Sequence, residues 1–286
     1  MSAPHECRLP IEGGALAALR WERGDGMRVL ALHGWLDNAA SFVPLAPLLP
    51  GLDLVALDLP GHGRSAHLPP GAEYSLAGTV HAVLDAADAL GWDRFAVLGH
   101  SMGASIGCLV AAAAPERVTR LVAIEALGAL ADAEAHTARR LRDAVAARRA
   151  LRGKRLRVFP DVDGAVQARV QATGLGEPEA RLLVERGLRQ VEGGHAWSTD
   201  QRLTVSTPTR MTEGQVRDLL RNLACPVLAV YAEPAQPYFP EPLRSERAAV
   251  PPDARLVRRP GGHHLHMERP GEVAAVVGDF LTAPGG

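Results

Sequence analysis

The chain has 286 residues, 47% of them hydrophobic and only 4% aromatic, and a formal net charge of −1. This allows one large domain with an insertion, around a core built on Ala, Leu and Val, and the charge balance makes no general case for nucleic acid. Three cysteines (Cys7, Cys108 and Cys225) with no Cys-X-X-Cys pair, and no apolar leader stretch within residues 1–14, point to a reducing, cytoplasmic setting.

Strand-like runs lie at 15–21, 28–32 and 52–58. The second ends in His33-Gly34-Trp35. Asp37-Asn38 are then expected to cap a helix over 39–49. The third opens Asp58-Leu-Pro-Gly-His-Gly-Arg-Ser65, where the glycines read as turn residues and Asp58 and Arg64 as loop holders. No Gly-Lys-Ser/Thr follows, so this is not a phosphate cradle. A helix is expected over 75–90 with Ser75 as its N-cap, then a strand over 95–99.

Residues 97–105 read Val-Leu-Gly-His-Ser-Met-Gly-Ala-Ser. This Gly-X-Ser-X-Gly pattern specifies a geometry as well as a residue type. Gly99 and Gly103 remove side chains from a sharp strand-to-helix turn, and Ser101 sits at its tip with its hydroxyl exposed. The N–H of Met102 lies at the start of the next helix, where donors are unpaired and the dipole favours negative charge. That helix covers 102–114 and stops at Pro115. Cys108 falls on it, and with Cys225 reads as a buried thiol. At 103–114 the small-apolar stretch is too short to span a bilayer, so no membrane partner is expected.

A strand at 120–124 is followed by Glu125. From Gly128 to Arg210 the alternation gives way to helical patterns at 131–149, 162–173 and 178–189, with Gly193-Gly194 and Pro208 marking the return. This segment holds fourteen Arg and one Lys against ten acids. It reads first as a solvated helical face, with attraction of anionic substrates or an acidic partner as the alternative. A helix at 212–222 carries a Thr-X-X-Gln capping box. Strands follow at 227–231 and 255–258. Trp197, Tyr238 and Phe239 fit either a pocket wall or ordinary packing. Pro260-Gly261-Gly262-His263-His264-Leu265-His266 comes next, and residues 283–286 read as a frayed tail. A neutral serine needs a general base. Among the three histidines His263 follows the Gly-Gly turn directly and is the candidate, with His264 and His266 as structural residues. A His-rich metal site is the weaker reading, because no Cys, Asp or Glu with ligand spacing accompanies these residues.

In order and spacing, His33-Gly34, Asp58 to Ser65, Gly99 to Gly103 and Gly262-His263 to Pro270 resemble the α/β-hydrolase superfamily over about residues 8–282. His33-Gly-Trp-Leu-Asp-Asn-Ala-Ala-Ser-Phe42 and His263-His-Leu-His-Met267 are similar to the group called serine hydrolase-like proteins. The resemblance implies an α/β fold: a mostly parallel central sheet with helices on both faces, formed by 1–127 and 211–286, with a helical cap inserted at 128–210. It implies a second oxyanion donor in the loop after the 28–32 strand, assigned to the N–H of Trp35 beside that of Met102. The acid expected after the 227–231 strand falls on Ala235, which has no carboxylate. Some members place it after the preceding strand, which selects Glu125, with Glu233 and Glu241 as alternatives. A carboxylate closing an apolar run also needs a partner, and His263 would be one.

The function expected is a serine hydrolase: Ser101 attacks an ester, amide or thioester of a small molecule, His263 moves the proton, and Glu125 holds His263. No metal or organic cofactor is called for. C–C bond hydrolysis or perhydrolysis on the same residues, and a non-catalytic ligand-binding protein on this fold, are the alternatives.

Overall fold

The computed structural model describes residues 3–154 and 156–283. An antiparallel pair, β1 (His5–Ile11) and β2 (Gly14–Trp21), leads into β3 (Met27–Leu32) and β4 (Leu52–Leu57). Then come α1 (Leu76–Ala89), β5 (Phe95–His100), α2 (Met102–Ala113) and β6 (Val118–Ile124). Outside the sheet lie α3 (Thr137–Leu151), α4 (Val162–Thr173), α5 (Glu177–Gly187) and a hairpin of β7 (Leu188–Val191) and β8 (Gly194–Trp197). The chain returns through α6 (Glu213–Arg221), β9 (Val227–Glu233), α7 (Leu243–Ala248), β10 (Ala254–Pro260), α8 (Leu265–Glu268) and α9 (Pro270–Thr282).

The main sheet has eight strands in the order β1-β2-β4-β3-β5-β6-β9-β10. Its β4-to-β10 portion is parallel, and β2 joins it antiparallel. Alternate residues of the central strands feed two cores. Leu30, Val97, Leu121 and Ala229 face α1, α2 and α6. Val29, Leu98, Val122 and Leu228 face Phe42, Leu45 and α9. Burial on both faces is why these strands read as unbroken apolar runs. Phe159, Val166, Leu183 and Val184 form a third, smaller core outside the sheet, joined by Met267 of α8.

Several local expectations hold. Ser75 caps α1, and Thr212 with Gln215 forms the capping box of α6. Cys108 and Cys225 are buried and free. Asp58 accepts from the N–H groups of Ala39 and Arg64, so it does tie loops together.

Other expectations are corrected. Residues 39–49 form two short 3-10 turns, Ala39–Phe42 and Ala46–Leu48, because Pro44 and Pro47 interrupt a helix. Asn38 caps the first turn, and Asp37 does not. α3 starts at Thr137, after a 3-10 turn at Glu134–His136. Helix α5 stops at Gly187, and residues 188–191 become β7. Gly193 and Gly194 (φ 82° and 141°) make the hairpin turn there instead of leading back to the sheet. A Cβ on Gly194 would stand 2.1 Å from the Phe159 carbonyl oxygen. β1 has no counterpart in the sequence reading: it is an edge strand with Pro10 and one buried apolar side chain, Leu9. Pro284–Gly286 of the expected tail lie outside the described residues. Among the described residues no helix is long and apolar enough to cross a membrane.

Candidate active site

Ser101 links β5 to α2 with φ 51° and ψ −113°, a strained backbone costing on the order of 1–3 kcal/mol. The two glycines make this turn possible. A Cβ on Gly103 would lie 1.9 Å from the Leu32 carbonyl oxygen, and one on Gly99 would lie 2.5 Å from the Ala104 nitrogen. The Ser101 N–H donates to Ile124 O at 2.8 Å, which fastens the turn to the end of β6. The hydroxyl caps no N–H of α2 and is left for other work.

Glu125 follows β6 directly, with φ 59°. Its N–H donates to Val230 O at 2.9 Å, extending the parallel pairing one residue beyond the strand. The carboxylate is 4% exposed. Its Oε1 accepts from the Ala232 N–H at 2.6 Å, and its Oε2 faces His263 Nδ1 at 3.3 Å. Glu233 and Glu241 are placed elsewhere: both pair with Arg244 and Arg258 beside α7. The geometry therefore brings Glu125 to His263 and leaves its two alternatives in a surface ion-pair network.

His263 stands on the loop between β10 and α8. His100 Nε2 donates to its carbonyl at 2.8 Å. The imidazole also meets the Tyr238 hydroxyl, at 2.8 Å from Nδ1 and 3.3 Å from Nε2. Burial, and then the charge of Glu125, push the Tyr238 phenol up, so it stays protonated. With the proton on Nδ1, the ring donates toward Glu125 Oε2, and the phenol oxygen stands beside both ring nitrogens, able to bond one of them at a time. Ser101 is not among the hydrogen-bond partners of the ring in this arrangement.

The loop after β3 holds the expected second donor. His33 is fully buried, accepts the Leu59 N–H at Nε2 (3.0 Å) and donates from Nδ1 to Gly34 O (2.7 Å). Burial lowers its pKa to about 4, so the ring is neutral. The Asp37 N–H bonds Gly34 O at 3.1 Å, closing a tight turn around Trp35 and Leu36, and Leu36 takes φ 58°. The Trp35 side chain is 54% exposed and donates to Leu203 O at 2.9 Å. Met102 opens α2, where the first N–H groups have no intrahelical partner. The close approach of Gly103 to the carbonyls of Leu32 and His33 packs this helix start against the strand end that leads to Trp35.

A buried cluster joins His264 to His100, the residue before Ser101, and to Asp37, a carboxylate that the reading of a His-rich metal site found lacking near these histidines. Asp37 Oδ2 is 3.2 Å from His264 Nε2 and 3.8 Å from His100 Nδ1. Its Oδ1 pairs with Arg169 of α4. Burial opposes the Asp37 charge, yet the hydrogen bond and charge of His264 and the charge of Arg169 hold the carboxyl well below its usual range. His264 and His266 are otherwise packed as the sequence suggests, with His266 Nε2 on Ser41 Oγ at 2.6 Å. His100 is the site residue that sequence reasoning missed; Tyr238 reads as pocket wall or packing and Asp37 as a helix cap, and the sequence does not foresee their contacts with His263 and His264. The available signals were a polar ring immediately before the nucleophile and an acid in the His33-Gly loop.

A model of the α/β hydrolase fold matches residues 28–270. A serine hydrolase-like protein of Danio rerio is 30% identical over 98% of this chain and 89% of its own. Serine hydrolase-like protein 2 of Homo sapiens is 30% identical over 96% of this chain and 93% of its own. Among solved structures, the hypothetical protein PA1622 of Pseudomonas aeruginosa PAO1 is 41% identical, with a TM-score of 0.89 over 96% of this chain and 98% of that one.

Proposed function

The chain belongs to the α/β hydrolase fold family, among its serine hydrolase-like members, and from that premise we propose that it hydrolyses a small-molecule ester through an acyl-enzyme. The observation that carries this reading is the placement of His263 against the buried Glu125 at 3.3 Å, on a loop tied by 2.8 Å to the residue before Ser101.

In the proposed reaction Ser101 Oγ forms a bond to the acyl carbon while His263 Nε2 takes the hydroxyl proton. The carbonyl electrons move to oxygen, which the backbone N–H groups of Trp35 and Met102 accept as an oxyanion; each such donor is worth roughly 3–4 kcal/mol where measured. The C–O bond of the leaving group then breaks, and the alcohol departs with the proton from His263. Water repeats the sequence, yielding the acid and free Ser101. Glu125 keeps the proton on Nδ1 and stabilises the imidazolium. To begin, the His263 ring exchanges its Tyr238 contact for one with Ser101. The helices and hairpin between 128 and 210 act as a cap: they carry their own core and reach the site through Arg169 and Leu203. The non-catalytic alternative drew its support from Ala235, and Glu125 supplies the carboxylate that Ala235 lacks.

The test is turnover of p-nitrophenyl esters of graded acyl length, followed on the millisecond scale. An initial burst of one nitrophenol per chain, absent in Ser101→Ala, is expected. Slow turnover without a burst, unchanged in Ser101→Ala, contradicts the proposal.

A further inference from the structure

We propose that Asp37, His100 and His264 form a binding site for a zinc-class divalent transition metal, and that its occupation inhibits the hydrolase. Binding stands on its own geometry; inhibition rests on the Ser101 reading above.

The three side chains come from separate loops: after β3, at the end of β5 and before α8. Their ligand atoms all lie within 4.8 Å of one another, and all three residues are buried. The separations of 3.2 and 3.8 Å from Asp37 Oδ2 bracket the roughly 3.3 Å expected between two ligands at about 2.0–2.1 Å from a tetrahedral zinc. Two imidazole nitrogens and one carboxylate oxygen suit zinc, cobalt, nickel or copper, and not the all-oxygen preference of calcium or magnesium; on binding, His264 Nε2 releases to solvent the hydrogen it shares with Asp37 Oδ2.

The independent observation is the state of His100. Its Nε2 is spent on the His263 carbonyl at 2.8 Å, so Nε2 carries the hydrogen and Nδ1 bears a bare lone pair. Among the described residues that Nδ1 has no hydrogen-bond partner, and the residue is fully buried. It points at Asp37 Oδ2, another acceptor. Two acceptors facing each other without a proton between them repel. A cation there satisfies both. Gly34 borders the pair closely: a Cβ on it would lie 2.9 Å from both Asp37 Oδ2 and His100 Nδ1, so only glycine leaves these two atoms unobstructed there. The Arg169 guanidinium lies on the same carboxylate but takes Oδ1 and the Leu36 carbonyl, leaving Oδ2 to the two histidines.

Two of the ligands are chained to the catalytic loop. His100 holds the carbonyl of His263, and His264 is the next residue. Drawing both rings onto one ion shifts the peptide that carries His263. Burial makes entry slow, so inhibition develops over minutes of incubation and not on mixing.

The untagged full-length protein, stripped with a chelator, is titrated with cobalt(II) and read by visible absorption, with equilibrium dialysis against zinc for stoichiometry. One ion per chain and d–d bands between about 500 and 650 nm are expected, with affinity reduced at least tenfold in His264→Gln and in Asp37→Asn. His136→Ala, which removes a surface histidine beside Asp132, is expected to bind as the wild type does. Melting curves establish that each variant is folded. In a parallel assay zinc slows ester turnover in the wild type, EDTA restores it, and His264→Gln resists zinc. No stoichiometric uptake by the folded wild type overturns the site, as does uptake undiminished in both ligand variants. Uptake without any change in turnover overturns the inhibition, and a chain that cleaves no ester but shows the cobalt bands fails the hydrolase reading and not the metal site.

Discussion

The ring of His100 donates a hydrogen bond of 2.8 Å to the main-chain carbonyl of His263, a residue 163 positions later. The residue before Ser101 thus fixes the loop that carries His263, the general base of the proposed reaction. Because the bond reaches the backbone of His263 and not its ring, it sets where the loop sits and leaves the imidazole free to turn. His100→Ala is expected to lower kcat about tenfold with KM little changed, given about 1–1.5 kcal/mol for a lost buried hydrogen bond. Steady-state kinetics beside a melting curve check this. A change confined to KM would contradict the positioning role.

Glu125 is expected to outrank every other carboxylate near the site. Glu125→Gln keeps the shape but removes the charge that fixes the imidazole tautomer, and kcat falls by about 10³-fold. Glu233→Gln breaks only part of the Arg244 and Arg258 network, and kcat stays within about twofold, since exposed pairs contribute little. The opposite ranking would move the acid to the loop after β9.

In the proposed reaction Tyr238 competes with Ser101 for the His263 ring. Removing its hydroxyl in Tyr238→Phe frees the ring to turn toward Ser101, and kcat/KM is expected to rise about two- to tenfold, the worth of one hydrogen bond of about 0.5–1.5 kcal/mol. A fall in activity would instead give the phenol a productive role, in substrate contact or in holding the ring. Comparison of the two enzymes on a single ester settles the sign.

Acid is expected to destabilise the fold through buried neutral histidines. Burial lowers His33 to about 4 and His62 to about 3, and holds His100 and His266 well below the usual value. In the unfolded chain each ring titrates near 6.5. Below that pH the unfolded chain binds protons that the folded one refuses, so stability is fully present above about 7 and is lost as pH falls toward 4. Each ring contributes on the order of 1 kcal/mol per pH unit in that window. Melting temperature is expected to drop by several degrees between pH 7.5 and pH 5. A flat profile would mean that these rings are not buried in their neutral form.

The sheet was legible because its central strands are apolar on both faces and end in recognisable turns. Gly99 and Gly103 announced the elbow, and the structure gives the reason in backbone approaches no side chain can enter. Glu125 was legible for a physical cause as well: a carboxylate closing an apolar run requires a partner. The edge strand β1 was not, because its half-polar pattern and Pro10 carry little signal. The β7–β8 hairpin was hidden by a helical continuation of α5. The meeting of Asp37, His100 and His264 was unreadable, since spacing is informative only when the residues share a segment, and here three loops distant in sequence converge.

The central claim is that Ser101 is a nucleophile activated by His263. Intact-mass spectrometry after exposure to a fluorophosphonate, with peptide mapping, tests it most directly. One adduct per chain, located on Ser101, absent in Ser101→Ala and formed at least a hundredfold more slowly in His263→Ala, is the predicted result. A folded wild type that takes up no label, or takes it up equally fast without His263, would contradict the account.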